Sequence, residues 1–169
     1  MKKFSTALVL SAAASLAVVG FGCKDAEHKD TKPAMTKESM PTKSLYERLG
    51  GEGALTLVVD DFVNRAAGDP AVNFTRKGTG MEWNATPENV AKLKKRLVQF
   101  IGMATGGPQK YEGKAMKPSH AGMKITSAEF DALAKDLIAS LDKFKVPQRE
   151  KDELIAVVAS TKGDIVEMK

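Results

Sequence analysis

Apolar residues recur at steps of three and four along four stretches of the chain, which is the period of an amphipathic helix. These stretches run from about residue 52 to 67, from 86 to 105, from 126 to 144, and from 147 towards 165. No stretch alternates polar and apolar residues with the period of a strand. The pattern predicts an all-α domain of about five helices, counting a short first helix after Ser44.

Capping residues and helix breakers set the expected ends of these helices. Ser44 with Glu47, and Thr126 with Glu129, have the spacing of a capping box. Thr86 precedes a proline in the first turn of another predicted helix. Glycine and proline clusters are the expected stops, at Gly50-Gly51, Gly68-Asp69-Pro70, Gly106-Gly107-Pro108 and Val146-Pro147.

Residues 1–23 have the pattern of an export signal. A charged start, Met1-Lys2-Lys3, precedes an uncharged apolar run from Ala7 to Phe21. That run is shorter than the ~20 residues that a membrane-spanning helix needs. We therefore expect an exported protein, either periplasmic or anchored to a membrane and facing the periplasm or exterior.

Cys23 ends this run in VVGFGC, which resembles a bacterial lipoprotein signal in which the cysteine becomes lipidated. Ordinary cleavage nearby is the alternative, although Gly22 suits a lipoprotein cleavage site. A lipid chain at Cys23 would hold the protein to a membrane surface without spanning it.

Residues 24–43, which include His28, are predicted to be a disordered polar linker because they lack an apolar period. The folded domain is expected from residue 44 to 169.

The charge balance argues against a nucleic-acid partner. The net charge of the chain is +5, and the basic residues are interleaved with acidic ones rather than gathered in a stripe with aromatic residues. The single cysteine excludes an intrachain disulfide. The stability of the domain must then come from its core and from any cofactor that it binds.

His120 is the only histidine of the predicted domain, and it lies between a helix stopped by Gly106-Gly107-Pro108 and the capped helix after Thr126. One histidine does not make a structural zinc site, which needs four ligands. Haem supplies four nitrogens of its own and needs only one from the protein. From the residues alone two interpretations remain open: a haem ligand, or a turn histidine between two helices.

Four motifs fall in the order and spacing of a known family. They are Gly50-Gly51, Gly-Gly-Pro at 106–108, Tyr-x-Gly at 111–113 and Met-x-x-x-His at 116–120. With the stretches SLYERLGGEGAL and FDALAKDLIASLDKFKVP, they make the chain from Ser44 onward resemble a group I truncated haemoglobin. The resemblance implies a two-over-two sandwich of helices around haem b.

The resemblance also implies roles for individual residues. His120 would be the proximal ligand of the haem iron, and the glycine motifs would let the segment that carries it cross the haem face. Apolar residues at matching positions would contact haem: Phe62, Phe74, Phe100, Met116, Ile125, Phe130, Leu133 and Leu137. Haem propionates would meet Tyr111, Lys117 and Lys124.

The distal side departs from the family pattern. Many members carry a tyrosine after the phenylalanine of the second helix, where this chain has Val63, and a glutamine where it has Leu97. Leu93, one turn earlier, is also aliphatic, so these positions offer bound oxygen no hydrogen-bond donor. Arg96 could compensate for the missing donor by folding over the ligand, or it could pair with a propionate. The alternative is an arginine on the protein surface. Lys94 and Met103 are weaker candidates for a sixth iron ligand.

The second departure is an insertion of about ten residues, 75–85, which contains Trp83, the only tryptophan. Trp83 either covers the pocket or anchors the loop to the surface, and we favour the anchor.

The resulting hypothesis is a globin that binds oxygen, nitric oxide and carbon monoxide, reduced by an unknown electron donor. A haem enzyme that detoxifies nitric oxide or peroxide, and an extracytoplasmic haem redox protein, are the alternatives.

Overall fold

The computed structural model describes residues 43–168, so the predicted signal, residues 24–42 of the linker, Cys23 and His28 lie outside the described residues. The described range contains no β-strand, only one isolated parallel bridge between Thr126 and Met168. None of its helices is long and apolar enough to cross a membrane. The all-α prediction is confirmed, and the helices are α1 Leu45–Arg48, α2 Gly51–Gly68, α3 Pro87–Ala104, α4 Met116–His120, α5 Ser127–Lys143, α6 Gln148–Ala159 and α7 Lys162–Ile165.

The predicted helix starts are confirmed by their caps. The side chains of Ser44 and Thr126 each accept a hydrogen bond from the backbone three residues on, and both capping boxes are complete. Thr86 likewise accepts a hydrogen bond from the backbone N–H of Asn89. Each cap satisfies donors that the first turn of a helix leaves without partners.

The end of the chain was predicted wrongly as one continuous helix towards Ile165. It is broken after Ala159, and a separate turn of helix begins at Lys162. The hydroxyls of Ser160 and Thr161 donate to the carbonyls of Val157 and Val158, each at 2.7 Å. Such local side-chain bonds offer the backbone an alternative to the helical ladder.

Gly106 ends α3 and turns the chain towards His120. Its φ of +85° lies in the left-handed region, which a side chain rarely adopts. The N–H of Gly107 donates to the carbonyl of Gly102 at 2.7 Å, and that of Gly106 to Met103 at 3.2 Å. This is the Schellman arrangement, which satisfies the last carbonyls of a helix and stops it sharply.

Helix α2 lies at the centre of the domain and packs on both α3 and α5, while α5 also packs on α6. Val59 of α2, Leu141 of α5 and Leu154 of α6 are completely buried. Each such side chain contributes about 1.5–3 kcal/mol of burial free energy. The short helices lie outside this centre, where α1 packs on α2 and α6, and α4 packs on α7.

Candidate functional site

A cavity of about 720 Å³ is bounded by residues of α2, α3 and α5, by the segment that carries His120, and by α6 and α7. This volume is within the usual range of small-molecule and cofactor sites. The structure brings nearly all the sequence-predicted site residues to this one cavity. They are Phe62, Val63, Phe74, Leu93, Arg96, Leu97, Phe100, Tyr111, Met116, His120, Ile125, Phe130, Leu133 and Leu137.

His120 is the last residue of α4, and its ring orientation is fixed by its own helix. Nδ1 lies 2.8 Å from the carbonyl oxygen of Met116. A carbonyl only accepts hydrogen bonds, so Nδ1 carries the proton and Nε2 of a neutral ring keeps its lone pair. This is the usual way in which a protein orients a metal-ligating imidazole.

The described residues place no cluster of metal-ligating side chains around this imidazole. Among residues 43–168, no group of three or more histidine, cysteine or acidic side chains is placed to hold a metal ion. Haem iron suits such a site, because haem supplies four nitrogens of its own and needs only one strong ligand from the protein.

The walls from α2 and α3 are apolar where the distal residues were predicted. Val63 is only 2% exposed, and Leu93 and Leu97 are partly buried in the core. None of these three side chains has a hydrogen-bond donor. These three positions therefore present only aliphatic carbon to the cavity, and the polar side chains that α3 adds to its lining are Asn89, Lys92 and Arg96.

Arg96 lies at the rim of the cavity and already has partners. Its Nη1 donates to Glu112 and to Gln99, each at 3.0 Å, and its side chain is 42% exposed. A hydrogen bond from Gln99 and the positive charges of Lys95 and Arg96 lower the pKa of Glu112. Arg96 is therefore both a rim residue and part of a surface ion pair.

Neither candidate for a sixth ligand lines the cavity. Lys94 forms an ion pair with Asp60 at 3.1 Å, and Met103 is 46% exposed.

Among the predicted propionate contacts, Lys117 is exposed and does not line the cavity, and neither does Lys124. Lys92 and Lys114, which the sequence interpretation missed, are the lysines that do line it.

Trp83 both anchors its loop and forms part of the cavity wall. Its indole N–H donates to the carbonyl of Phe74 at 2.7 Å, and the two ring centres are 5.3 Å apart. Phe100 and Tyr111 make a second aromatic pair at 5.7 Å, edge to face. The Tyr111 hydroxyl is used within its own segment, where it donates to the carbonyl of Lys114 at 3.0 Å.

Arg76 and Glu129 line the cavity and were not predicted as site residues. They form an ion pair at 3.0 Å, and Arg76 is only 6% exposed. Burial alone would raise the pKa of Glu129, but hydrogen bonds from Thr126 and Arg76 outweigh it and lower that pKa. The sequence carried no signal for Arg76, because an arginine in a polar, glycine-containing loop is normally exposed.

The residues present fit haem. A flat apolar ring matches a cavity whose walls are largely aliphatic and aromatic, and the carboxylates at its edge match the basic rim of Lys92, Arg96 and Lys114. The iron needs one strong ligand, and His120 offers a single oriented imidazole. Val158 and Ile165 complete the wall from the end of the chain. The apolar period of the last predicted helix was a signal for Val158, but not for Ile165, which lies beyond the break after Ala159.

The family model described as bacterial-like globin matches residues 44–167. The chain is 31% identical to the group 1 truncated hemoglobin of Tetrahymena pyriformis over 124 residues, covering 73% of this chain and 95% of that protein. It is 33% identical to the group 1 truncated hemoglobin of Mycolicibacterium paratuberculosis over 122 residues, covering 72% and 83%.

Solved structures of truncated hemoglobins are also similar to this chain. The Fe(III) form of the Tetrahymena pyriformis truncated hemoglobin is similar with a TM-score of 0.64 and 30% identity, covering 73% of this chain and 98% of that one. The 2/2 hemoglobin of a Synechococcus species, in its cyanomet state with covalently attached haem, gives a TM-score of 0.62 and 30% identity over the same shares.

Proposed function

The chain belongs to the bacterial-like globin family as a group 1 truncated haemoglobin with the two-over-two fold, and we propose that it holds haem b through His120 and reversibly binds diatomic gases. Haem binding follows from the family. The observation that carries the finer proposal is the oriented imidazole of His120 in a cavity that is otherwise largely apolar. Haem b itself is identified by the absorption spectrum of the extracted haem in alkaline pyridine.

The aliphatic distal side determines how the gases are discriminated. Bound oxygen is polar and gains from a hydrogen-bond donor, whereas carbon monoxide gains much less. Val63, Leu93 and Leu97 have no such donor. We therefore expect fast oxygen release, ready oxidation of the iron, poor discrimination against carbon monoxide and good binding of nitric oxide.

Substitution of Val63 tests this proposal. In Val63→Tyr the phenol supplies a donor to bound oxygen, and one such bond slows oxygen release by about tenfold. Val63→Phe adds a similar ring without the hydroxyl and should leave the release rate within about twofold of its wild-type value. The measurement is oxygen dissociation from the reduced protein by stopped-flow spectroscopy.

Two outcomes bear on the proposal. Slower release in Val63→Tyr than in Val63→Phe supports a distal side that lacks a donor. Equal rates in the two variants would mean that Val63 does not face the bound gas, or that another donor already holds it, and the apolar-pocket proposal would then be wrong.

We also propose that the protein is exported and works with a separate electron donor. The charged start and the uncharged apolar run before Cys23 support export, and lipidation of Cys23 would anchor the protein to a membrane. The mass of the mature N-terminus after expression in a bacterial host tests both, because a diacylglyceryl cysteine and an unmodified cleavage product differ in mass by hundreds of daltons.

A further inference from the structure

The five residues after His120 connect α4, which carries the proposed iron ligand, to the start of α5. This segment, residues 121–125, has no regular secondary structure. It is held by side chains from two other parts of the chain, the 75–85 loop and the C-terminal residues. We call residues 121–125 the connecting segment.

Arg76 holds the connecting segment from the loop side. Its Nε and Nη2 donate to the carbonyl of Met123 at 3.1 and 2.8 Å, and Nη2 also lies 3.4 Å from the carbonyl of Lys124. The guanidinium is a rigid planar fork, so several bonds to one short segment fix its position as well as its distance. Lysine has no such fork.

Glu129 compensates the buried charge of Arg76. Its Oε1 accepts from Arg76 Nη1 at 3.0 Å, and its Oε2 accepts from the backbone N–H of Thr126 at 2.8 Å. Glu129 therefore joins Arg76 to the start of α5, where the connecting segment ends. A buried arginine is tolerated when its charge is paired and its donors are used.

Glu167 holds the same segment from the C-terminal side. Its two carboxylate oxygens accept from the backbone N–H groups of Gly122 and Lys124, each at 2.7 Å. Those bonds lower the pKa of Glu167. The backbone N–H groups of Glu167 and Met168 also donate to the carbonyl of Ile125, at 2.9 and 3.1 Å.

The backbone is strained at both ends of the Arg76 contact. Arg76 has a φ of +56° and Lys124 has a φ of +53°, and neither is glycine. Conformations of this kind persist only where the surrounding structure over-determines them, and they gather at functional sites. Here the surrounding structure is the hydrogen bonds from Arg76 to the carbonyls of Met123 and Lys124, and from the backbone N–H of Lys124 to Glu167.

We propose that Arg76 is a positioning residue for His120: together with Glu129 and Glu167 it clamps the connecting segment and thereby sets the placement and mobility of the proximal imidazole. This inference rests on the proposed role of His120 as the iron ligand. It assigns a function to the inserted 75–85 loop, which supplies the arginine.

The test compares wild type with Arg76→Lys and Arg76→Gln, and uses Arg149→Gln as a matched control. Arg149 also pairs with a glutamate, Glu153 at 3.1 Å, but it is exposed and far along the chain on α6. The first readout needs no haem: amide hydrogen exchange at Gly122 and Lys124, measured against amides of α2. The second is the iron–imidazole stretching band of the reduced haem protein, with the rate of haem loss to an acceptor apoprotein.

If Arg76 holds the connecting segment in this way, Arg76→Gln should accelerate amide exchange at Gly122 and Lys124 at least tenfold. Amide exchange in α2 should change less than twofold. The iron–imidazole band should be shifted or broadened, and haem loss should be at least fivefold faster. Arg76→Lys should lie between wild type and Arg76→Gln, and Arg149→Gln should match wild type.

Two results would overturn the inference. One is equal acceleration in α2 and the connecting segment, which would make Arg76 a general stabiliser of the fold. The other is an unchanged band and haem-loss rate in both Arg76 variants while wild type shows an iron–imidazole band. A wild-type haem protein with no such band would instead refute the role of His120, and the inference with it.

Discussion

The indole of Trp83 joins the 75–85 loop to the haem cavity through one hydrogen bond and one ring contact, both to Phe74. Trp83→Phe keeps an aromatic ring but removes the N–H, so the Phe74 carbonyl loses its donor. The expected loss is about 1 kcal/mol in the free energy of unfolding. Urea denaturation of the purified protein measures it.

Trp83→Ala separates the role of the ring from that of the N–H. It opens the cavity wall as well, so haem loss should accelerate severalfold in Trp83→Ala and change little in Trp83→Phe. If both variants lose haem at the wild-type rate, Trp83 anchors the loop only, and its place in the wall has no consequence for the cofactor.

Residue types explain which parts of the site could be predicted from the sequence. The apolar residues and His120 were found because their spacing follows the helical period and the family motifs. Arg76 was missed because its burial depends on carbonyls of residues 123 and 124, almost fifty positions away. Lys92 and Lys114 were missed because other lysines lie near each of them in the sequence, and only the structure shows which lysines reach the cavity.

At the scale of helices, Asp61 ties α2 to α5. Its carboxylate accepts from the Ser140 hydroxyl at 2.9 Å and from Arg65 at 2.7 Å, and it also binds Lys143. Hydrogen bonds from Lys143, Arg65 and Ser140 outweigh partial burial and hold the pKa of Asp61 far below its usual range. Ser140 is fully buried, so Asp61 is the partner that satisfies its hydroxyl.

This tie predicts a pH dependence of stability. The folded-state pKa of Asp61 lies below its unfolded value of about 3.9, so its contribution is complete above about pH 5 and declines as the pH falls through 4 and below. Asp61→Asn should therefore lower the free energy of unfolding by about 1–2 kcal/mol at pH 6 and by less at pH 3.

The matched control is Asp131→Asn. Asp131 pairs with Lys162, but its side chain is 58% exposed, and exposed pairs contribute little. The free energy of unfolding of wild type, Asp61→Asn and Asp131→Asn is measured by urea denaturation at pH 6 and at pH 3. A loss in Asp61→Asn that is the same at pH 6 and pH 3 would show that its charge is not what joins the two helices.

Helix starts were predicted well because a cap is a local signal of four residues. The break after Ala159 was not predicted, since the apolar period continues past it and neither glycine nor proline marks it. The resulting α7 brings Ile165 to the cavity and Glu167 to the connecting segment.

At the scale of the whole molecule, the helical sandwich and the haem site depend on each other. α2 packs on α3 and α5, and the same three helices supply about half of the residues that line the cavity. The cavity has about the volume of a cofactor site, so filling it with haem adds contacts that the apoprotein lacks. Any ligand bound only by the folded protein raises its stability.

The central claim is that His120 is the protein's ligand to haem iron, and the chain offers a matched control in His28, its only other histidine. The measurement is the resonance Raman spectrum of the reduced, haem-loaded full chain in wild type, His120→Gly and His28→Ala. We predict an iron–imidazole band in wild type and His28→Ala, its loss in His120→Gly, and its return when free imidazole is added to His120→Gly. A band that survives in His120→Gly without imidazole would contradict the claim.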